Sequence, residues 1–372
     1  MAYSMVKLPG KIDMKLKKLT ITITHKRLIV VVSLLSFLLS GCSNLNKTFE
    51  NNTIKVSQNG LVISTFSNKN KANILYLNVN NENKEHLIKD KNIAVTGDLS
   101  NDGSKIVYAD ALNDNDPWQI YLHDLVSNKT CKLTDNKFGK SQPKFANNDC
   151  AYFLTYSKEK QAKIEKVNIK KKSHDILDTN DKDMELDAFN IGNNKLIMST
   201  DSSSLRLKKW NENNGKDQSI THNIFETDLN GKNLRKIYEI QASLVQSISY
   251  GYNQNEIIVS GCDINGNSGF GIYEISLDTG KLNVILTDDM LEHMKSSVAT
   301  KIAHPSLAVI SKNKKLIYFT GVHRNSKSTN IGGISCYPTD VFSYNMNSKK
   351  IKDVFKPTLP SLVFDLNIKY LK

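Results

Sequence analysis

The chain has 372 residues, with 50 Lys and Arg against 37 Asp and Glu, a formal charge of +13 and 39% apolar residues. That apolar content excludes a disordered chain, which has too few hydrophobic residues to build a core. The absence of G-x-S-x-G, H-E-x-x-H, P-loop and dinucleotide-binding patterns removes the enzyme classes that those motifs carry.

The chain opens on a targeting segment. Lys15, Lys17, Lys18, Lys26 and Arg27 form a basic region, and Leu28 to Leu39 is apolar apart from Ser33 and Ser36. A run of about a dozen residues is short for a bilayer, which takes about 20. It ends in Leu39-Ser40-Gly41-Cys42. These four residues resemble the lipobox of bacterial lipoproteins, in which the cysteine becomes the lipidated first residue of the mature chain. The resemblance implies a signal peptide over 1–41, lipid on Cys42, and anchoring to the extracytoplasmic face of a bacterial membrane. An ordinary signal peptide with a chance cysteine and an uncleaved anchor are the alternatives.

Cleavage before Cys42 removes seven basic residues and Asp13, so the formal charge falls from +13 to +7. Much of the basicity then belongs to the leader, and no nucleic-acid partner is expected. The remaining charge fits a site near an anionic membrane or wall polymer, and equally an ordinary lysine-rich surface. Residues 42–52 are polar and Asn-rich and read as a tether, which leaves 53–372 as the folded domain.

Six short apolar runs follow: Leu61–Ser64, Ile106–Ala109, Ala151–Leu154, Leu196–Ser199, Ile257–Ser260 and Leu316–Phe319. The first four begin 45 residues apart, and the next two after steps of 61 and 59. Short β-rich runs at a period near 45 are the pattern of a propeller array, one run per blade. Around each run the order repeats, and the second unit shows it most clearly. Ile93–Leu99 reads as an inner strand and Ser100-Asn101-Asp102-Gly103-Ser104-Lys105 as a tight turn in which Asp-Gly tolerates positive φ. Ile106–Ala109 is the second strand, the alternating Trp118–Leu125 the third, and Lys129–Thr134 the outer one.

That unit carries a family resemblance. Ser100–Tyr108, then Gln119-Ile120-Tyr121-Leu122-His123-Asp124-Leu125, then Cys131-Lys132-Leu133-Thr134-Asp135, resembles the repeat of TolB-type six-bladed propellers, with Asn101 in place of that family's Pro and Tyr108 in place of Phe. The other units keep the spacing and lose the letters. The resemblance implies an all-β, six-bladed TolB-like propeller, and it says little about function.

Units four and six carry extra residues between their second and third strands, Asp201–His222 and Gly321–Asp340. Insertions of this length are either functional or neutral, and both are expected to be the most mobile parts of the domain. Asp289–Ala303 offers one helix, with Met290, Leu291, Met294 and Val298 on one face. Cys131, Cys150, Cys262 and Cys336 show no metal-binding spacing and read as buried free thiols or as disulfides. The C-terminal run Ser361–Leu371 is rich in strand formers and is expected to join the first blade and close the ring.

No catalytic constellation is found, and no cofactor or metal is expected. Asp263-Ile264-Asn265-Gly266-Asn267-Ser268-Gly269 with Glu274 has some calcium-loop spacing, but Ser268 stands where the loop needs Gly. Propeller ligands gather where inner-strand ends and blade-to-blade loops meet. Position there marks Asp98, Asp187, Tyr250, Tyr252, His304 and Asp365, with Trp118 in the polar loop of the second unit. The reading is a monomeric lipoprotein whose propeller is a non-catalytic binding or scaffold module for an envelope protein, a peptide or a glycan. The alternative is an enzyme acting at the channel mouth, of the metal-dependent lactonase or sugar-processing type.

Overall fold

A computed structural model describes residue 56 and residues 59–371, apart from 94, 114, 115, 157–160, 178–180, 217, 254, 295 and 314. The signal peptide over 1–41, Cys42 and the tether over 42–52 lie outside the described residues.

The units form six antiparallel sheets arranged as a propeller. The first blade contains β1 (Gly60–Ser67), β2 (Ala72–Asn78) and β3 (Lys84–Lys91), and the second β4 (Gly97–Leu99), β5 (Lys105–Asp110), β6 (Gln119–Asp124) and β7 (Lys129–Lys132). The third holds β8 (Lys140–Asn147), β9 (Cys150–Tyr156), β10 (Ala162–Asn168) and β11 (Ser173–Leu177). The fourth holds β12 (Met184–Gly192), β13 (Lys195–Ser202), β14 (Ile220–Asp228) and β15 (Arg235–Ala242). The fifth holds β16 (Leu244–Tyr250), β17 (Glu256–Cys262), β18 (Phe270–Ser276) and β19 (Lys281–Thr287). In the sixth the inner strand is split into β20 (Ala299–Ile302) and β21 (Ala308–Ile310). Both halves pair with β22 (Leu316–His323), and β25 (Asp340–Asn345) and β26 (Ile351–Phe355) lie outside.

The apolar runs are continuous because their strands are covered on both faces, so period two selects between two neighbours instead of between core and water. Ile257 and Val259 pack with Ile197 and Ile224 of the fourth blade, while Ile258, between them, packs with Ile317 and Phe319 of the sixth. Likewise Ile106 and Tyr108 face the first blade, and Val107 and Ala109 face the third. The core is therefore a ring of inter-blade layers.

The ring closes as expected. β27 (Ser361–Lys369) pairs antiparallel with β1 from Gly60↔Lys369 to Ser67↔Ser361, so the first blade takes its inner strand from the C-terminal segment. Val363 and Leu366 bury in the layer between the sixth and first blades. The turn before β5 also matches its sequence: Asp102 accepts hydrogen bonds from the Ser100 hydroxyl and the Ser104 amide, and Gly103 sits at φ +69°. A Cβ there would lie 2.2 Å from the carbonyl oxygen of Val56, so only glycine fits.

Two expectations are corrected, and the insertions carry secondary structure of their own: one contains the helix Ser203–Glu212, and the other the hairpin of β23 (Thr329–Ile331) and β24 (Ile334–Cys336). Ser202 caps that helix by accepting from the Leu205 amide, but none of its residues is buried, so it leaves no apolar period to read. Ile331 of the hairpin is buried in the layer between the first and second blades, so this insertion straps across the closure seam. The helix expected over Asp289–Ala303 is only Asp288–His293, because β20 begins at Ala299. Of the four cysteines, Cys131 is exposed and the others are half-buried, and all are free.

Since β27 supplies both an inner strand and part of an inter-blade layer, deleting 361–372 should abolish the cooperative melting transition by circular dichroism. An unchanged transition would show that the ring does not depend on this seam.

Candidate functional site

The six inner strands run in the same direction around the central channel. Their starts face the blade-to-blade connections, and their ends face the hairpins that lead to the second strands, except in the first blade, where β27 is followed by the last residues of the sequence. A cavity of about 530 Å³ opens at the hairpin end. Its wall includes Asp98, Lys144, Ser249, Tyr250, Asn367 and Lys369, and Tyr252 and Lys312 stand at the rim, Tyr252 being 54% exposed.

The wall is built by charge pairing between blades. Lys369 Nζ lies 2.5 Å from Asp98 Oδ2, which also accepts from the Phe145 amide at 2.8 Å. Lys144 Nζ donates to Asp365 Oδ1 at 3.1 Å and to Asn367 Oδ1 at 2.5 Å. The second oxygen of each carboxylate, Asp98 Oδ1 and Asp365 Oδ2, is buried with no partner among the described residues, as is Ser249 Oγ. Buried acceptors left in that state cost free energy that a ligand's donors would recover.

The rim is braced by Tyr250. Its hydroxyl donates to Glu226 Oε2 at 2.9 Å, and Glu226 also receives Lys195 and Arg235, each at 2.8 Å. Burial alone would raise the Glu226 carboxyl, but the hydrogen bonds from Lys195, Arg235 and Tyr250 outweigh it and hold the group below its ordinary range. Burial, then the Glu226 carboxylate, push the Tyr250 hydroxyl well above its ordinary value. Gly192 gives the ring its room, since a Cβ there would lie 2.7 Å from it.

Asp98, Tyr250 and Tyr252 therefore meet at one cavity, with Asp365 behind Lys144. Asp187 and His304 do not join them, because Asp187 turns into the fourth blade at a bulge and His304 lies in the break between β20 and β21. His304 Nδ1 lies 2.8 Å from Gln246 Nε2, and burial holds the ring below the usual histidine range. Trp118 packs half-buried between the layers on either side of the second blade. The loop after Asp263 is a hairpin end: Asp263 accepts from the Gly269 amide and the Ser243 hydroxyl, while Glu274 stays in β18. Lys144, Asn367 and Lys369 escaped the sequence reading, although Asp365, Asn367 and Lys369 stand at i, i+2 and i+4, a polar stripe on one side of a strand.

Among the described residues one group of His, Cys, Asp and Glu could hold a metal: Asp187, Asp201 and His222, whose ligand atoms lie within 4.8 Å of one another. A β-bulge between Leu186 and Ala188 leaves Asp187 out of register with β13 and aims its carboxyl into the blade. There it meets His222 Nδ1 at 2.8 Å and Arg206 Nη2 at 2.5 Å, and the same guanidinium nitrogen binds Asp201. Arg206 comes from the insertion helix. Burial alone would raise Asp187, but Arg206, then His222, hold it below the usual carboxylate range.

No protein-family model and no curated protein matches the sequence. Among solved structures, the chain is similar to TolB from Acinetobacter baumannii, with a TM-score of 0.58 and 11% identity over 83% of this chain. It spans 66% of that TolB chain, just under two thirds of its length. A chain of a nidogen/laminin complex is similar at TM-score 0.55 and 11% identity, over 83% of this chain and 98% of that one. A putative TolB from Agrobacterium tumefaciens follows at TM-score 0.50 and 8% identity, over 85% and 99%. The fold is thus the six-bladed propeller of TolB; at such identities the likeness extends to the fold alone.

Replacing Arg206 with Met should lower stability in urea unfolding by about 3–5 kcal/mol at neutral pH, because two buried carboxylates lose their cation. Asp187 is depressed in the folded state, so its stabilisation is present above the ordinary aspartate pKa and is lost as pH falls through the folded value. The gap between wild type and Arg206→Met should therefore shrink below about pH 4. A gap independent of pH would assign Arg206 a packing role only.

Proposed function

We propose that this chain is a membrane-anchored lipoprotein whose propeller is a non-catalytic binding module. In this reading the signal peptide covers 1–41, lipid on Cys42 holds the protein at the extracytoplasmic face of a bacterial membrane, and 42–52 tether a monomeric domain over 53–372. The partner is an envelope protein, a peptide or a glycan, received at the hairpin end of the channel. The lipobox at Leu39–Cys42 supports the anchoring, and the propeller fold supports the binding role. A neighbour in fold from a nidogen/laminin complex was solved with a protein partner, which favours a protein or peptide ligand.

The observation that carries the binding reading is the buried, unpartnered oxygen Asp98 Oδ1 in the wall of a 530 Å³ cavity with Tyr252 and Lys312 at its rim, backed by a second such oxygen, Asp365 Oδ2, behind Lys144. A segment with amide N–H groups, an ammonium or hydroxyls supplies the missing donors, and the Tyr252 ring supplies a flat surface on which a peptide bond or a sugar ring stacks. Asp98, Asp365, Tyr250 and Tyr252 are the contact residues in this reading. Asp187, His304 and Trp118 serve the scaffold around them. The enzyme alternative draws no support from the cavity, because Asp98 and Asp365 are each already engaged by a lysine.

Two measurements test the proposal. Intact-mass analysis of membrane-derived protein should give a lipidated chain beginning at Cys42, and any other start rejects the anchor. Capture from envelope extracts should recover one reproducible partner with both wild type and Cys42→Ser. Tyr252→Ala combined with Lys312→Ala should weaken that capture at least about tenfold, as expected for contacts worth about 1.4 kcal/mol or more. A partner indifferent to the rim substitutions rejects the cavity as its site.

A further inference from the structure

The fourth blade holds a ligand set that the binding reading does not use. Asp187 on β12, Asp201 on β13 and His222 on β14 converge, with their side chains at 2%, 0% and 0% exposure. The His222 ring is already oriented as a metal ligand's would be. Nε2 lies 3.1 Å from the carbonyl oxygen of Ala242, which leaves Nδ1 directed at the carboxylates. A metal-bound histidine ordinarily donates its second N–H to such a carbonyl. Nδ1 and Asp187 Oδ2 are 2.8 Å apart, a hydrogen-bond distance, and tetrahedral ligands on bonds of about 2.0 Å stand about 3.3 Å apart, so the two atoms need to spread by only about half an ångström to share one ion.

Asp201 adds an independent mark. Its Oδ1 is fully buried and has no partner among the described residues, while Oδ2 is taken by Arg206. A carboxylate committed only to an ion pair with Arg206 would present both oxygens to the fork of the guanidinium. Here a single nitrogen of Arg206 is shared between Asp187 and Asp201, at the point between the two carboxylates where an ion would also sit. The Arg206 side chain is the most exposed member of the group, at 24%, so the cluster meets solvent along Arg206.

We propose that Asp187, Asp201 and His222 form a transition-metal site that Arg206 closes, its guanidinium standing in for the ion. The class is Zn²⁺ or a close relative, because one imidazole nitrogen and two carboxylates in a dry pocket suit that ion, whereas calcium and magnesium take six or more oxygens or keep several waters. The fourth position is the one Arg206 vacates. In the exchange the guanidinium swings out to solvent, the divalent ion takes its place between the two carboxylates, and His222 binds through the Nδ1 lone pair, any hydrogen on that nitrogen passing to water. The helix itself stays, since Asp183 accepts from the Ser204 amide at 2.7 Å and the Ser202 hydroxyl caps the Leu205 amide. Only the Arg206 side chain moves.

The test uses Co²⁺ for its visible spectrum and Zn²⁺ for stoichiometry, on the full folded domain. Arg206→Met should bind a single equivalent of either ion, with the strong visible band of four- or five-coordinate Co²⁺. Its affinity should exceed that of wild type by at least about tenfold, since no charge-assisted pair has to be broken. Adding Asp201→Asn should abolish the band. If Arg206→Met takes up no ion, or if Asp201→Asn leaves the uptake unchanged, the proposal is overturned. Should Arg206→Met fail to fold, wild type decides. Excess Zn²⁺ should raise its melting temperature and leave that of Asp201→Asn unmoved, and no difference between the two overturns the site.

Discussion

Each second strand of a blade is buried on both faces, and each face belongs to a different neighbour. Phe153 packs toward the second blade and Leu154 toward the fourth, and the alternation recurs at Leu61, Val62 and Ile63. A sheet with two buried faces has no stable form alone, so every blade needs a blade on either side. Only a closed ring supplies one to all six. The antiparallel ladder from β27 to β1, the buried Ile331 of the blade-six hairpin and the layer around Val363 and Leu366 all serve that closure.

With the apolar residues spent between blades, the channel wall is left to polar ones. Strands so close to an axis cannot all leave charges in water, so Lys144, Asp98, Asp365 and Lys369 are paired across three inner strands. Buried pairs of this kind add little net stability over an apolar filling, whereas breaking one costs several kcal/mol. Their physical effect is placement: they hold Asp98 with one oxygen uncommitted at the cavity, and Asp365 with one uncommitted oxygen behind Lys144. The same logic operates in the fourth blade, where a bulge, an imidazole and an arginine from an insertion meet around two acids.

The two insertions differ from neutral loops in what they deliver. One delivers Arg206 to Asp187 and Asp201, and the other delivers Ile331 to the far side of the closure seam. In both cases a residue of the insertion completes a buried environment that the strands lack by themselves. An exposed helix and a short hairpin suffice for this, because the packed blades supply the rest of each contact.

The strands of this propeller were legible in the chain because apolar runs, alternation and Asp-Gly turns are local properties. Ile257–Ser260 and Ser100–Lys105 announce strand and turn without reference to anything distant. The unpaired C-terminal run likewise announced a closing strand, since its backbone needs partners. Position along the inner strands marked Asp98, Tyr250 and Tyr252, which share one cavity, but it could not show that Asp187 turns into the blade at a bulge or that His304 lies in a break of the sixth inner strand. The partners Lys144 and Lys369 and the Arg206 contact stayed hidden. A lysine or arginine in sequence is overwhelmingly a surface residue; the approach of other strands buries Lys144 and Lys369, and the fold of the insertion helix turns Arg206 back onto Asp201 and Asp187. Local patterns therefore determined the fold and its period, whereas tertiary packing alone decided which charges meet, because a charge pair is specified by distances between segments that the linear chain does not encode side by side.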